Sequence, residues 1–133
     1  MINTSQIDSG QGLRILLVDD NEDASSSMAE LLTLCGHTVR TAGDGAKALE
    51  AAALFYPQLV LSDIGLPGMD GYELAPALRR LAGPRPMVLA AVTGYGQPTD
   101  RRRAIEAGFD HHLIKPLEAD ILLRFIDAQA GLT

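Results

Sequence analysis

Residues 59–74 form the stretch LVLSDIGLPGMDGYEL. It opens with a short apolar run, Leu59–Leu61, which is typical of a strand covered on both faces. Asp63 follows the run, then a turn rich in glycine and proline, and then a helical pattern over Tyr72–Leu81. The stretch therefore predicts a strand that is followed by a helix, with Asp63 at the carboxyl end of the strand.

The same layout recurs on both sides of this stretch. Other apolar runs lie at Ile15–Val18, Met87–Val92 and Leu113–Ile114, and an alternating stretch that suits an edge strand lies at His37–Ala42. The remaining helical patterns are Ala24–Cys35, Ala46–Leu54, Thr99–Ala107 and Ala119–Ala130. This (βα)5 order with short connections predicts an α/β fold with a doubly wound parallel five-stranded sheet and helices on both faces.

Two residues within the helical patterns carry local predictions. Pro76 lies inside the third pattern, where its missing N–H and its ring predict a bent or shortened helix. Cys35 is the only cysteine, which excludes a disulfide within the chain and a thiolate metal cluster. Because Leu31 and Leu32 are close to it, we expect Cys35 to be a core residue of its helix.

The bulk properties exclude several classes of protein. The 133 residues fit one domain, and we expect residues 1–12 to be a flexible tail or linker and residues 13–133 to form the globular domain. No apolar run could span a bilayer and no secretory segment is present, which predicts a cytoplasmic location without membrane insertion. The net charge of −6 disfavours direct binding of nucleic acid, since the basic run Arg101–Arg103 would spread around a helix.

Four of the apolar runs are followed at once by residues that can bind a metal or a phosphate: Asp19 and Asp20, Asp63, Thr93, and Lys115. Ligands of an open doubly wound sheet bind beyond the carboxyl ends of its strands, so we expect these side chains to share one cleft. Crowded carboxylates repel one another and require a cation, and oxygen ligands without His or Cys indicate Mg²⁺ or Mn²⁺. Singly, each residue could be a helix cap, a turn residue or a surface charge; together they indicate a site for a phosphoryl group and a metal.

The motifs at these positions resemble the receiver domain of two-component response regulators, a flavodoxin-like family with strand order 2-1-3-4-5. The resemblance runs from about Arg14 to Ala130. The sequence of the motifs is most similar to that of receivers attached to hybrid sensor histidine kinases. Its motifs are LLVDDNEDA (16–24), LVLSDIGLPGMDGYEL (59–74), AVTGYGQ (91–97) and AGFDHHLIKP (107–116).

The resemblance implies a phosphoacceptor and a metal site. Asp63 would accept a phosphoryl group from a phosphohistidine on a sensor histidine kinase or a histidine phosphotransfer protein. Mg²⁺ would be held by Asp20 directly, by Asp19 mainly through water, by Asp63, and by the backbone carbonyl of Gly65. The chain would then act in signalling, assisting its own phosphorylation and dephosphorylation without turning over small molecules, and a weak homodimer is a further expectation.

The resemblance also implies a switch. Thr93 and Lys115 would bind phosphoryl oxygens, and the Lys115–Pro116 peptide bond would be cis as in the family. His112 stands where the family often has Tyr or Phe as a rotamer switch. Tyr95 would guide or block an attacking water.

Two other functions stay open at this point. A phosphatase of the haloacid dehalogenase type also combines Asp, Thr, Lys and Mg²⁺, but it requires a second Asp two residues after the nucleophile, where this chain has Gly65. The pattern Gly43-x-Gly45-x-x-Ala48 matches a dinucleotide-binding fingerprint, although it follows the second strand and leaves the strand-end residues unused.

Overall fold

The computed structural model describes residues 12–94 and 98–130, which form strands and helices in strict alternation. The strands are β1 (Arg14–Val18), β2 (Thr38–Ala42), β3 (Leu59–Asp63), β4 (Val88–Thr93) and β5 (His111–Ile114). The helices are α1 (Glu22–Leu34), α2 (Gly45–Phe55), α3 (Gly71–Ala82), α4 (Pro98–Ala107) and α5 (Ala119–Gln129). The predicted order of elements is confirmed, with boundaries that differ by a few residues.

The strands form one parallel sheet in the order β2-β1-β3-β4-β5. Strand β1 lies between β2 and β3, and Ile15 pairs with Val39 on one side and Leu59 on the other. The chain moves outward from β1 to β2 and then returns past β1 to β3, so the strand order reverses beside β1. This reversal leaves a crevice at the carboxyl ends of β1 and β3, where ligands of doubly wound folds bind.

The core lies on both faces of the sheet because the central strands are apolar on both sides. The cluster under α2, α3 and α4 includes Leu16, Val18, Val60, Ala52, Leu78 and Ala104. The cluster under α1 and α5 includes Ile15, Leu17, Leu61, Leu32, Leu122 and Ile126. Alternate residues of β1 belong to opposite clusters, as the pleat of a strand requires. The sheet is therefore held from both faces, and the positions of its strand ends follow from this packing.

The third helix was predicted to be bent or shortened at Pro76, and the structure shows that it is not shortened. It runs through Pro76 from Gly71 to Ala82. At its start, Asp70 Oδ1 accepts from the Glu73 N–H (3.0 Å), and Glu73 Oε1 accepts from the Asp70 N–H (3.1 Å). This capping box and the buried apolar residues of α3 stabilise the helix on both sides of the proline.

The end of α1 shows that the prediction of a buried Cys35 is also wrong. Cys35 is the C-terminal cap of the helix and is exposed. The buried stripe of α1 ends at Leu32, and Gly36 then turns the chain with a φ of 98°. Periodicity alone does not show where a helix leaves the core.

Within the described ranges, no helix is long and apolar enough to cross a membrane. The predicted tail, residues 1–12, lies outside the described residues apart from Gly12. The boundary between tail and domain therefore stays a prediction.

Candidate functional site

The carboxyl edge of the sheet holds the side chains that the sequence placed at strand ends. Asp19 follows β1, Asp63 ends β3, Thr93 ends β4 and Lys115 follows β5. Backbone bonds continue the pairing past the strands: the Lys115 N–H donates to the Thr93 carbonyl (2.8 Å), and the Asp19 N–H donates to the Ala42 carbonyl (3.0 Å). The register of the parallel strands thus brings these residues to one edge.

Three carboxylates meet at this edge and are called the aspartate cluster: Asp19, Asp20 and Asp63. Each has a carboxylate oxygen within 4.8 Å of the others. Asp19 Oδ1 accepts from the Asn21 N–H (2.9 Å), and Asn21 in turn caps α1 by accepting from the Ala24 N–H (3.1 Å). The cap of α1 is thus Asn21, which leaves both preceding aspartates for the site. Because the cluster offers only oxygen atoms and its charges repel, the residues fit a hard divalent cation such as Mg²⁺.

Lys115 is bonded to the cluster. Its Nζ donates to Asp63 Oδ2 (2.9 Å), while the Gly65 N–H donates to Asp63 Oδ1 (3.2 Å). Burial acts to lower the pKa of Lys115, but the hydrogen bond to Asp63 and the negative charges of the aspartate cluster together raise it above its ordinary value. Lys115 is therefore a fixed cation beside the cluster at neutral pH. The Lys115–Pro116 peptide bond is cis, as the resemblance implied.

A cleft of about 520 Å³ opens beside the cluster. Its polar side chains are Asp19, Asn21, Asp63 and Lys115, and its apolar ones include Ala24, Met28, Val92 and Leu117. Ala24 and Met28 belong to a helical pattern that predicted no role for them in the site, and no motif pointed to Leu117. The signal that could have found them is their position shortly after the Asp19-Asp20 and Lys115-Pro116 motifs.

Thr93 and Gly65 also lie at this edge of the sheet. Thr93 is buried and stands opposite Ile114 in the register of β4 and β5. Gly65 is exposed, and a Cβ atom added there would meet no atom within 4 Å. The roles of the Thr93 hydroxyl and the Gly65 carbonyl stay predictions. Tyr95 lies outside the described residues.

The two histidines of β5 lie on opposite faces of the sheet. His111 packs edge-on against Phe125 of α5, with 5.0 Å between ring centroids. His112 is on the side of α4, where Asp100 and Arg101 act on it, and its Nε2 is buried without a hydrogen-bond partner among the described residues. Burial lowers the pKa of His112, with a smaller opposing effect from Asp100 and a small supporting one from Arg101. The imidazole is therefore neutral at pH 7.

Comparison with known proteins gives the family. Residues 15–127 match the response regulator receiver domain. The chain is 36% identical over 115 residues to the sensor histidine kinase RcsC of Salmonella typhimurium, covering 86% of this chain and 12% of that protein. It is 38% identical over 111 residues to the transcriptional regulatory protein TcrA of Mycobacterium tuberculosis, covering 84% of this chain and 43% of that protein. The chain thus spans less than half the length of these relatives.

Solved structures agree with the sequence matches. A CheY-like receiver domain protein from Methanospirillum hungatei matches with a TM-score of 0.82 at 31% identity, covering 91% of this chain and 95% of that one. The receiver domain of a sensor histidine kinase from Pseudomonas aeruginosa, solved with a magnesium ion coordinated in its active site cleft, matches with a TM-score of 0.80 at 29% identity, covering 90% and 98%. These matches support neither the phosphatase nor the dinucleotide-binding alternative. The sheet order, the site at its carboxyl edge and the match over residues 15–127 lead to one conclusion: the chain belongs to the response regulator receiver domain family.

Proposed function

We propose that this receiver domain takes a phosphoryl group from a phosphohistidine onto Asp63, and that the modification switches its interactions with partner proteins. The observation that carries the proposal is the bond between Lys115 Nζ and Asp63 Oδ2 (2.9 Å) inside the aspartate cluster. A carboxylate can attack phosphorus only where the charges of both reactants are neutralised, and a fixed ammonium supplies part of that neutralisation. Of the three aspartates, Asp63 is the one bonded to this ammonium.

In the proposed reaction, an oxygen of Asp63 attacks phosphorus and an acyl phosphate bond forms. The P–N bond of the phosphohistidine breaks, and its electron pair stays on the departing imidazole nitrogen. The Lys115 ammonium then turns from the carboxylate to an oxygen of the phosphoryl group, and the Thr93 hydroxyl donates to another.

The aspartate cluster is the proposed metal site. Asp20 would bind Mg²⁺, or Mn²⁺, directly, Asp19 would bind it mainly through water, and Asp63 and the Gly65 carbonyl would complete the protein ligands. When bound, the cation would neutralise part of the negative charge on the oxygens of the phosphoryl group during its transfer. The carboxylate donor set of the cluster supports this assignment.

The switch is proposed to run through Thr93, Lys115 and His112. A charge-assisted hydrogen bond contributes about 1.5–3 kcal/mol. Moving an equilibrium from 1:99 to 99:1 takes about 5.5 kcal/mol, so contacts from both Thr93 and Lys115 are needed. His112 pairs with Ala91 in the register, which puts it on the same face of the sheet as Thr93. We propose that His112 changes orientation when Thr93 binds the phosphoryl group.

The proposed partners are a sensor histidine kinase or a histidine phosphotransfer protein. The chain would assist its own phosphorylation and dephosphorylation and would not turn over small molecules. Direct binding of nucleic acid is not part of the proposal, because the net charge of −6 disfavours binding to a polyanion. A weak homodimer and a cytoplasmic location stay predictions.

Mass spectrometry of the intact protein tests the phosphoacceptor. With Mg²⁺ and acetyl phosphate or a cognate phosphohistidine, the parent should gain one phosphoryl group and Asp63→Asn should gain none. The matched control is Asp23→Asn, an exposed aspartate in the first turn of α1 outside the cluster, which should be labelled like the parent. Circular dichroism would verify that each variant is folded. Labelling of Asp63→Asn at the level of the parent would show that the acceptor is another residue.

A further inference from the structure

The amino edge of the sheet, opposite the aspartate cluster, carries a second cleft that is lined by two arginines. Arg14 begins β1, and Arg85 lies in the loop between α3 and β4. The cleft has a volume of about 290 Å³, close to the lower end of ligand-binding pockets at about 300 Å³. Its other lining residues are Tyr56, Pro57, Gln58, Ala82, Pro86 and Met87, and no carboxylate is among them. This cleft is called the arginine cleft below.

Arg14 is held in place by hydrogen bonds on two sides. Its side-chain Nε donates to the Tyr56 carbonyl (2.9 Å), and its backbone N–H donates to Gln58 Oε1 (2.9 Å). The terminal amino groups of its guanidinium form no hydrogen bond within the described residues. Arg14 therefore keeps donors for a ligand in a side chain whose orientation is already fixed.

Arg85 is held by stacking and by its neighbours in the chain. Its guanidinium carbon lies 3.7 Å from the centroid of the Tyr56 ring. Pro84 and Pro86 flank it and restrict the backbone on both sides. Tyr56 is itself set by the end of α2, where it adopts a left-handed conformation with a φ of 50° before the buried Pro57. Both guanidinium groups are thus pre-oriented at one cleft.

The charge of the arginine cleft is not compensated within the described chain. The net charge of the protein is −6, yet neither Arg14 nor Arg85 forms an ion pair there. A phosphate group carries about −1.5 to −2 at pH 7, which matches two guanidinium groups, whereas one carboxylate would leave a positive charge unmatched. The planar guanidinium fork also fits phosphate oxygens.

We propose that the arginine cleft binds a phosphate dianion, either free phosphate or the phosphate of a small monoester. The two guanidinium groups would share the phosphate oxygens, and the apolar wall formed by Pro57, Pro86 and Met87 would face the organic part of a monoester. This site lies at the edge of the sheet opposite Asp63, so it does not rest on the proposed phosphoacceptor function.

NMR of the arginine Nε–H groups tests the proposal in the full chain, without metal and at constant ionic strength. The probes are inorganic phosphate and phenyl phosphate. The signals of Arg14 and Arg85 should shift along one common saturating curve. Arg40 is the matched control, because its guanidinium also lies over an aromatic ring, 5.1 Å from the centroid of Phe55, but does not line the arginine cleft. Its signal should not follow that curve.

Phosphate binding by substituted proteins distinguishes a specific site from nonspecific attraction of anions to positive charge. Arg85→Gln should weaken binding at least about tenfold, since it removes charge-assisted hydrogen bonds. Arg40→Gln should leave binding unchanged, and Asp63→Asn should too. Tighter binding of phenyl phosphate supports a monoester site, and equal affinities support a free phosphate site. Shifts that rise linearly without saturation, or that are as large at Arg40 as in the cleft, mean an adventitious ion only and overturn the proposal.

Discussion

At the scale of single residues, the two aspartates that follow β1 differ in their hydrogen bonds. Asp19 is half-buried and its Oδ1 accepts from the Asn21 N–H (2.9 Å). Asp20 is exposed and forms no hydrogen bond within the described residues. One oxygen of Asp19 is therefore committed to the backbone, whereas both oxygens of Asp20 are available to a cation.

This difference predicts unequal effects on metal binding. Asp20→Asn should weaken Mg²⁺ binding at least about tenfold, because it removes the charge of the proposed direct ligand. Asp19→Asn should weaken it by a smaller factor, since Asp19 is expected to act through water. Isothermal titration calorimetry measures both, with Asp23→Asn as the control that should bind like the parent. Equal losses in the two variants would contradict the division of roles.

A second prediction concerns Gly71, where α3 begins. A Cβ atom there would lie 2.9 Å from both the Asp63 carbonyl oxygen and the Ile64 Cα. Gly71→Ala should therefore push α3 away from the backbone that carries Asp63 and lower the free energy of unfolding by about 1–3 kcal/mol. Urea unfolding measures this. Gly65→Ala is the matched control, since its Cβ would meet no atom within 4 Å, and a similar loss there would refute the steric explanation.

At the scale of elements, β5 and α4 pack against each other at His112. His112 of β5 has its Nε2 buried without a hydrogen-bond partner among the described residues, and the charges acting on it, Asp100 and Arg101, are in the first turns of α4. A neutral ring can stay in such a place, but a protonated ring would need an acceptor for Nε2–H. We therefore expect the packing of β5 against α4 to depend on the protonation of His112.

The sign of the pH dependence follows from the lowered pKa of His112. The unfolded chain binds this proton more readily, so the contribution to stability is present above about pH 6.5 and is lost as pH falls through the lowered pKa. Between pH 7.5 and 5.5, the parent should lose more free energy of unfolding than His112→Phe, by at most about 1.4 kcal/mol per pH unit. Urea unfolding at both pH values measures the difference.

His37 and His111 provide the comparison for that experiment. Burial also lowers the pKa of His37, with an opposing effect from Asp127, so some acid sensitivity should remain in every variant. His111→Phe changes the same strand on its other face and should keep the part of the pH dependence that belongs to His112. If His112→Phe is as acid-sensitive as the parent, His112 has no such role.

At the scale of the whole molecule, metal binding and folding are linked. The three carboxylates of the aspartate cluster repel one another when no cation is bound, and the chain brings them together only when it folds. A ligand that binds the folded state alone stabilises it by RT ln(1 + [L]/Kd), about 1.4 kcal/mol at ten times Kd.

Mg²⁺ at ten times its Kd should therefore raise the melting temperature by several degrees, about 3–8 °C for a domain of this size. Removal of the metal with EDTA should reverse the rise. Asp20→Asn should melt higher than the parent without metal, since one repelling charge is gone, and should respond little to Mg²⁺. Differential scanning calorimetry measures the melting temperature of each protein under each condition. An equal rise in Asp20→Asn would mean a general salt effect rather than a site.

The sequence alone determined the order of elements and the edge of the sheet that holds the site. Apolar runs and helical periods are local patterns, so they report which segments become strands and helices. In a parallel sheet all carboxyl ends meet at one edge, and this rule brings Asp19, Asp63, Thr93 and Lys115 together without knowledge of any distance. The family resemblance added the strand order and the expected roles.

Which side chains make contact becomes clear only from the three-dimensional fold. The hydrogen bond between Lys115 and Asp63 depends on strand register, and so does the arginine cleft, which also depends on loop conformation. Both features join residues that are far apart in the chain. Arg14 and Arg85 converge because Tyr56 lies between them, and no local pattern connects these positions. The prediction for Cys35 is wrong for the same reason: periodicity gives the face of a helix, whereas packing decides how far along the helix that face stays buried.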